Sequence, residues 1–186
     1  ISRALASDSI EELAVYECDL SILTDDDIPN PLLDTLKTLN LEWARNIPPQ
    51  LIKSALASNI EELALCGYDL SILTDDDIPN PLPASLKKLK LIQARKIPSE
   101  LISRALASDS IEELDLSFCD LSILTDDDIP NPLPDTLKTL DLRESRNIPP
   151  ALISSLRESR NIPPALISRA LPSASIEEPL IAELDL

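Results

Sequence analysis

The sequence repeats itself, and the length of its repeat limits what the chain can fold into. The string SILTDDDIPNPL occurs three times, at residues 21–32, 71–82 and 122–133. Within each long period of 50 or 51 residues, a shorter pattern close to L-x-x-L-x-L occurs twice. Its central leucines are spaced by 26, 24, 26, 25 and 26 residues, and they are Leu13, Leu39, Leu63, Leu89, Leu114 and Leu140. A unit of this length cannot bury its own leucines, so the pattern indicates stacked units that share one continuous core.

Each L-x-x-L-x-L segment predicts a β-strand, because leucines that alternate with variable residues place one face inside and the other outside. The type A strands are predicted at 10–15, 60–65 and 111–116, and the type B strands at 36–41, 86–91 and 137–142. After type B strands, Ile-Pro leads into apolar residues at helical spacing, which predicts short helices at 51–56, 101–106 and 166–171. After type A strands, Thr-Asp-Asp-Asp followed by prolines predicts one capped turn and then extended chain.

The repeat resembles the leucine-rich-repeat superfamily, whose pattern continues beyond L-x-x-L-x-L as x-x-N/C-x-L. The fifth unit matches throughout, from Ile111 to Cys119 and Leu121. The resemblance implies an α/β fold, a leucine-rich-repeat solenoid with a curved parallel β-sheet on its concave side. Short helices and irregular Pro-rich segments would form the convex side. At the Asn/Cys position the other units carry Cys18, Ala44, Tyr68, Ala94 and Ser145. We therefore expect a weaker side-chain ladder in type B units, and Tyr68 directed inward.

The register of the repeat changes near the C-terminus. Residues 142–154 are repeated at 156–168, and no L-x-x-L-x-L segment lies between the copies. We predict a regular array over residues 1–142, a duplicated, out-of-register insertion over 143–175, and a degenerate terminal repeat over 176–186. A seventh strand is predicted at 181–186, with a frayed end as the alternative.

Charge and cysteine content exclude several classes of partner. The formal net charge is −17, whereas affinity for nucleic-acid phosphates comes mainly from Lys and Arg. The same charge disfavours anionic membranes, and no apolar run approaches the roughly 20 residues of a membrane helix. Three cysteines cannot all pair with one another, and no N-x-S/T site is present, so we expect a cytoplasmic or otherwise reducing compartment. The Pro-rich lead-in is loosely similar to the repeats of secreted bacterial effectors, which implies action inside a host cell as an alternative.

Enzyme chemistry is not predicted. Without histidine the chain has no Ser-His-Asp triad, no Cys-His pair and no His-based zinc site. A single glycine excludes a glycine-rich phosphate loop. The triplets at 25–27, 75–77 and 126–128 have the oxygen ligands that Ca²⁺ prefers, but Asp after a Thr cap needs no metal. We therefore predict no catalytic residue, no metal site and no cofactor.

The units differ most from one another just after their strands. All four aromatic residues lie in this zone, although the segment that follows a type A strand is identical for a dozen residues. Because aromatic residues are the commonest anchors of interfaces, Tyr16, Trp43 and Phe118 are candidate hot spots. Neutral drift at unconstrained positions is the alternative. The predicted partner-binding residues are Tyr16, Glu17, Glu42, Trp43, Cys66, Ile92, Gln93, Ser117, Phe118 and Arg143.

Outward charges alternate along the predicted sheet, where Glu11 faces Lys37 and Glu61 faces Lys87 and Lys88. Glu112 and Lys138 continue the series. We predict a charge ladder with a structural role. For the whole chain we expect a non-catalytic module that binds a protein or peptide through the concave face. The alternative is a structural array, including a recently expanded or artificial one, with no defined partner. The near-identity of the units and the C-terminal duplication favour that alternative.

Overall fold

Six parallel strands form a single open sheet in the computed structural model, which describes residues 1–159. The order of the strands in the sheet is their order in the chain. They are β1 (Glu12–Ala14), β2 (Thr38–Asn40), β3 (Glu62–Ala64), β4 (Lys88–Lys90), β5 (Glu113–Asp115) and β6 (Thr139–Asp141). Each strand occupies the centre of a predicted six-residue segment, so the prediction of six parallel strands is confirmed and their length is overestimated.

The central leucines form one row across the sheet. Leu13 pairs with Leu39, Leu39 with Leu63, and the same register continues to Leu140. From Leu39 onward these side chains are buried, while Leu13 in the first unit is half-buried. The buried row confirms that the repeat places its leucines in one shared core, as expected of a solenoid-like array.

Short helices follow the type B strands. They are α2 (Pro49–Leu56), α3 (Ser99–Leu106) and α4 (Pro150–Glu158), and a single turn, α1 (Ser2–Leu5), precedes β1. α2 begins at Pro49, where the missing N–H is not needed, and buries Leu51, Ile52, Ala55 and Leu56 against the sheet. The helices predicted at 51–56 and 101–106 are confirmed. The helix predicted at 166–171 lies outside the described residues.

A short 3-10 turn follows each type A strand, at Asp25–Asp27, Asp75–Asp77 and Asp126–Asp128. In the first of them, the backbone N–H and the hydroxyl of Thr24 both donate to Asp27 Oδ2, at 3.0 and 2.8 Å. The other two turns have the same pair of hydrogen bonds. The predicted turn with a Thr N-cap is confirmed, and the third Asp of each triplet closes the capping box with that threonine.

The side chain at the Asn/Cys position makes different contacts with the neighbouring unit from one unit to the next. Cys119 Sγ lies 3.0 Å from the carbonyl oxygen of Leu91, and the hydroxyl of Tyr68 donates to Ile47 O at 2.8 Å. Ser145 Oγ donates to Leu116 O at 2.7 Å, although a weaker ladder was expected in type B units. Ala44 and Ala94 are buried but have no side-chain donor. The expectation is therefore wrong at Ser145, because a hydroxyl can reach the preceding unit, and Tyr68 is directed inward as predicted.

α4 follows β6 in the way that α2 follows β2. The rest of the predicted insertion at 143–175 and the seventh strand at 181–186 lie outside the described residues. None of the helices within residues 1–159 is long and apolar enough to cross a membrane.

Candidate functional site

A tight turn ends each strand and places two consecutive residues at its corner. In the first unit, Cys18 N donates to Val15 O at 3.3 Å, and Glu17 between them has a φ of 54°. Type II turns require such a positive φ at their third residue. The turns form two rows along the edge of the sheet. The first turn row is Tyr16, Glu42, Cys66, Ile92, Ser117 and Arg143, and the second turn row is Glu17, Trp43, Gly67, Gln93, Phe118 and Glu144.

All ten predicted partner-binding residues lie in these two rows, six in the first and four in the second. The structure thus brings them together, and binding by them stays a prediction. Gly67 and Glu144 complete the second turn row and were not among the ten.

Hydrogen bonds to the next unit hold the second turn row in its left-handed conformation. Trp43 N donates to Cys66 O at 3.1 Å, and Phe118 N donates to Arg143 O at 2.8 Å. The non-glycine residues of the row have φ between 54° and 61°, a region that costs an L-residue roughly 1–2 kcal/mol. Because the bonds involve backbone atoms alone, the row has the same conformation whether it carries Glu, Gln, Trp or Phe.

Trp43 lies across the next member of its row, Gly67. A Cβ atom placed on Gly67 would come within 2.4 Å of Trp43 Cε3 and 2.5 Å of Cζ3. The indole remains 40% exposed. One part of the ring is therefore fixed against the neighbouring backbone, and the other part faces solvent.

Tyr16 and Phe118 are more open than Trp43, at 54% and 57% exposed. The carboxylate of Glu17 raises the pKa of the Tyr16 phenol above its ordinary value of 10.0, and Glu42 of the next unit adds to this effect. Tyr16 is therefore a neutral hydrogen-bond donor beside two acidic groups. Phe118 has no comparable charged neighbour in its own turn.

Two of the predicted partner-binding residues, Cys66 and Ser117, are buried beneath the surface. Cys66 is 1% exposed, and its Sγ lies 3.6 Å from Glu42 Oε1. Burial raises the pKa of the Cys66 thiol to about 12, so this cysteine is a neutral, shielded group. Ser117 is 2% exposed and donates to Asp115 Oδ1 at 2.6 Å. Their side chains offer little area to a partner.

The other predicted residues either form contacts within the protein or lie at the border of the two turn rows. Arg143 donates from Nε to both carboxylate oxygens of Asp141, at 3.0 and 2.8 Å. Ile92 is half-buried and Gln93 is exposed. The two rows are therefore apolar and acidic in the first two units, and the last two units add one cation, Arg143, to Phe118 and Glu144.

The exposed face of the strands carries ion pairs across units. Lys88 lies 3.2 Å from Glu113, and Lys90 lies 2.7 Å from Glu62. The predicted Glu112–Lys138 pair is present. Among the described residues, Glu11 forms no ion pair with Lys37, and Glu61 forms none with Lys87 or Lys88. Lys87 Nζ donates to Ala84 O instead, and Lys88 pairs with Glu113. The ladder is thus formed in part, and the two additional pairs involve residues that flank the buried leucines.

Beyond the turns, a row of alternating charges follows the edge of the sheet. The backbones of Asp19 and Arg45 pair in parallel, as do those of the equivalent residues Asp69 and Arg95, and Asp120 and Arg146. Hydrogen bonds from Asn46 and Ser21 lower the pKa of Asp19 to about 2. Variation between units does not mark this row, because Asp is common to the type A units and Arg to the type B units.

A cleft of about 390 Å³ opens where this row meets the second turn row. Its walls include Phe118, Arg95, Lys96 and Arg146. Within residues 1–159, no group of three or more Cys, Asp or Glu side chains is arranged to hold a metal ion.

Comparison with known proteins adds no family to this description, since no family model, curated protein or solved structure matches the chain.

Proposed function

We propose that the chain is a leucine-rich-repeat module, without catalytic activity, that binds a protein or peptide ligand. The ligand would contact the two turn rows and the adjoining face of the sheet, which we expect to be concave. One observation carries the proposal. Tyr16 and Trp43 are exposed in neighbouring units, Phe118 is exposed three units further along the same edge, and none of them contributes a buried core side chain, while the backbone of the turns is fixed by hydrogen bonds. Large exposed aromatics on a rigid frame are the usual anchors of an interface.

Two further observations support the family. The central leucines share one register through six units, and Cys119 and Ser145 bond at the position where the family carries Asn or Cys. The three cysteines are free, and Cys66 and Cys119 are buried as thiols. We therefore propose a reducing compartment for the protein.

A peptide selection tests the proposed function. Random peptides displayed on phage are selected on the folded protein, and the binders are then measured against Trp43→Ala and Phe118→Ala. We expect each change to weaken binding by about 2 kcal/mol, roughly 30-fold, as truncation of a hot spot does. Ile22→Ala is the matched control, because Ile22 is an apolar residue that is 78% exposed outside both turn rows.

The alternative is a structural or artificially expanded array without a defined partner. The identity of the three SILTDDDIPNPL segments favours it, since selection for diverse contacts would leave the units less alike. Failure to enrich any peptide would support this alternative. Binders that lose affinity equally in Ile22→Ala and Trp43→Ala would count against the turn rows as the binding surface.

A further inference from the structure

The cleft beside Phe118 brings three cations together on an acidic protein. Arg95, Lys96 and Arg146 line it together with two carboxylates, Asp120 and Glu144. Three cations and two anions line the cleft, and Asp69 just outside it pairs with Lys96, so the local charge is near zero on a chain that carries −17 overall. An anionic ligand would therefore meet less repulsion here than the overall charge of the chain implies.

One carboxylate beside the cleft, Asp120, already has hydrogen-bond partners, whereas the guanidinium of Arg95 has none among the described residues. The amide of Asn147 donates to Asp120 Oδ1 at 2.9 Å, and Ser122 N donates to the same oxygen at 3.0 Å. These bonds, with the nearby Arg146, lower the pKa of Asp120. Within residues 1–159, no side-chain hydrogen bond or ion pair engages the guanidinium of Arg95, which leaves its donors available.

Three residues that line this cleft depart from their counterparts in the third unit or in the other type B units, although Cys119 has a counterpart in Cys18 of the first unit. Where the third unit has Tyr68, whose hydroxyl reaches Ile47 O, the fifth unit has the shorter Cys119, whose Sγ lies against Leu91 O. Cys119 lines the cleft with a smaller side chain than the tyrosine at the equivalent position of the third unit.

The other two departures change the chemistry of the wall. Lys96 replaces the asparagine found at Asn46 and Asn147, and it lies 3.1 Å from Asp69. Phe118 replaces Gly67, so an exposed aromatic ring stands beside the added charge. Size, charge and apolar surface therefore change together at a single place.

We infer that the cleft between Arg95, Phe118 and Arg146 binds a carboxylate of an acidic peptide segment that carries an apolar side chain next to it. A guanidinium presents paired N–H donors in the geometry that a carboxylate accepts, and Phe118 would contact the adjacent apolar group. The inference rests on the proposed function and names the class of its ligand.

A defined peptide tests it. The probe is a twelve-residue peptide of alternating Leu and Glu with an uncharged dye, measured by fluorescence anisotropy at low salt, and the reference peptide has Gln in place of Glu. We expect the Glu peptide to bind and the Gln peptide to bind at least about tenfold more weakly.

Variants locate the binding. Arg95→Gln should weaken the Glu peptide by about tenfold, while Arg45→Gln, the same change at the equivalent place two units earlier, should alter its affinity less than about twofold. Phe118→Gly should weaken binding as well, and it keeps the fold because glycine suits the φ of 61° at this position.

Equal effects of Arg95→Gln and Arg45→Gln would overturn the inference, since they would show attraction to charge in general. Absence of binding by the Glu peptide, or equal binding by both peptides, would overturn it too. So would competition by a short oligonucleotide at equal strength, because phosphate would then be the ligand. If library-selected peptides depend on Trp43 but not on Arg95, the proposed function stands and this inference falls. If no peptide is selected at all, the proposed function itself fails.

Discussion

The indole of Trp43 occupies the place where a side chain of Gly67 would be. Its Cε3 atom lies 2.4 Å from the position of a Cβ on Gly67, and the φ of Gly67 is 76°, the largest in its row. These are the only tryptophan and the only glycine in the sequence. Each is therefore explained by the other: the glycine gives the ring room to lie flat, and the ring covers backbone that would otherwise be open.

Gly67→Ala should lower the free energy of unfolding by about 2 kcal/mol, because the new methyl group meets the ring and the backbone is left-handed. With Trp43→Ala already present, the same change should cost only about 1 kcal/mol, the strain of the backbone alone. Urea denaturation of the four proteins in this double-mutant cycle measures the difference.

Gln93→Ala is the control for this cycle, since Gln93 has the same backbone conformation and an exposed side chain. It should change stability by less than about 0.5 kcal/mol. An equal cost of Gly67→Ala with and without the indole would show that the contact between Trp43 and Gly67 has no energetic weight.

Phe118→Gly should leave the protein as stable as before or stabilise it by up to about 1 kcal/mol. The ring is 57% exposed, so little burial is lost, and glycine adopts the φ of 61° without strain. Phe118→Ala keeps the strain and should cost under about 1 kcal/mol. Thermal and urea denaturation rank the three proteins. A large loss of stability in both variants would identify Phe118 as part of the core.

Acid should reveal the contribution of Asp77 to stability. The ammonium group of Lys53, 2.9 Å away, and the backbone N–H of Thr74 lower the pKa of Asp77 from 3.8 to about 2. A lowered pKa in the folded state stabilises the protein above pH 3.8, and this stabilisation is lost as the pH falls from 3.8 to 2. Asp77→Asn should therefore reduce the loss of stability between pH 4 and pH 2 by about 1 kcal/mol, allowing for solvent screening.

Urea denaturation at pH 4 and pH 2 provides the measurement. Asp26→Asn removes the same charge from an exposed residue in the middle of its triplet and should follow the wild type. Because both variants relieve the net negative charge equally, that effect cancels between them. A change of similar size in Asp26→Asn would attribute the acid sensitivity to overall charge.

Calcium should leave the melting temperature unchanged. In every Asp triplet the third carboxylate accepts two hydrogen bonds from the preceding threonine, as Asp128 does from Thr125 at 2.7 Å. A ligand already engaged in this way is poorly placed to join a metal site. Scanning calorimetry in millimolar calcium and in EDTA compares the two states, and an increase of several degrees with calcium would show binding by linkage.

The repeat period was enough to predict the leucine row and the helices that begin at Pro49 and Ser99, because burial at fixed spacing determines both. It could not predict which residues meet across units. The pair Lys90–Glu62 joins positions 28 residues apart, and the hydrogen bond from Ser145 to Leu116 joins positions 29 apart. Both depend on side-chain length and direction, which a pattern of residue types does not contain.

Only part of the candidate surface could be predicted from the sequence, for the same reason. Variation between units marks the residues of the two turn rows, but it passes over Arg95 and Arg146, which are common to the type B units. The pattern of variation also did not predict that Cys66 and Ser117 are buried. Whether a residue at the first turn row is covered depends on its neighbours in adjacent units, as Cys66 shows beside Glu42.

The backbone bonds that hold the second turn row have a consequence for how such a surface can change. Phe118 N and Gln93 N make the same bond to the following unit, at 2.8 Å in both cases, although one residue is aromatic and the other is an amide. Side chains along this edge can therefore be exchanged without a change in the backbone beneath them, except at Trp43 and Gly67, which depend on each other. Recombination at these positions, with Trp43 and Gly67 kept as a pair, would alter the binding surface and leave the leucines beneath it untouched.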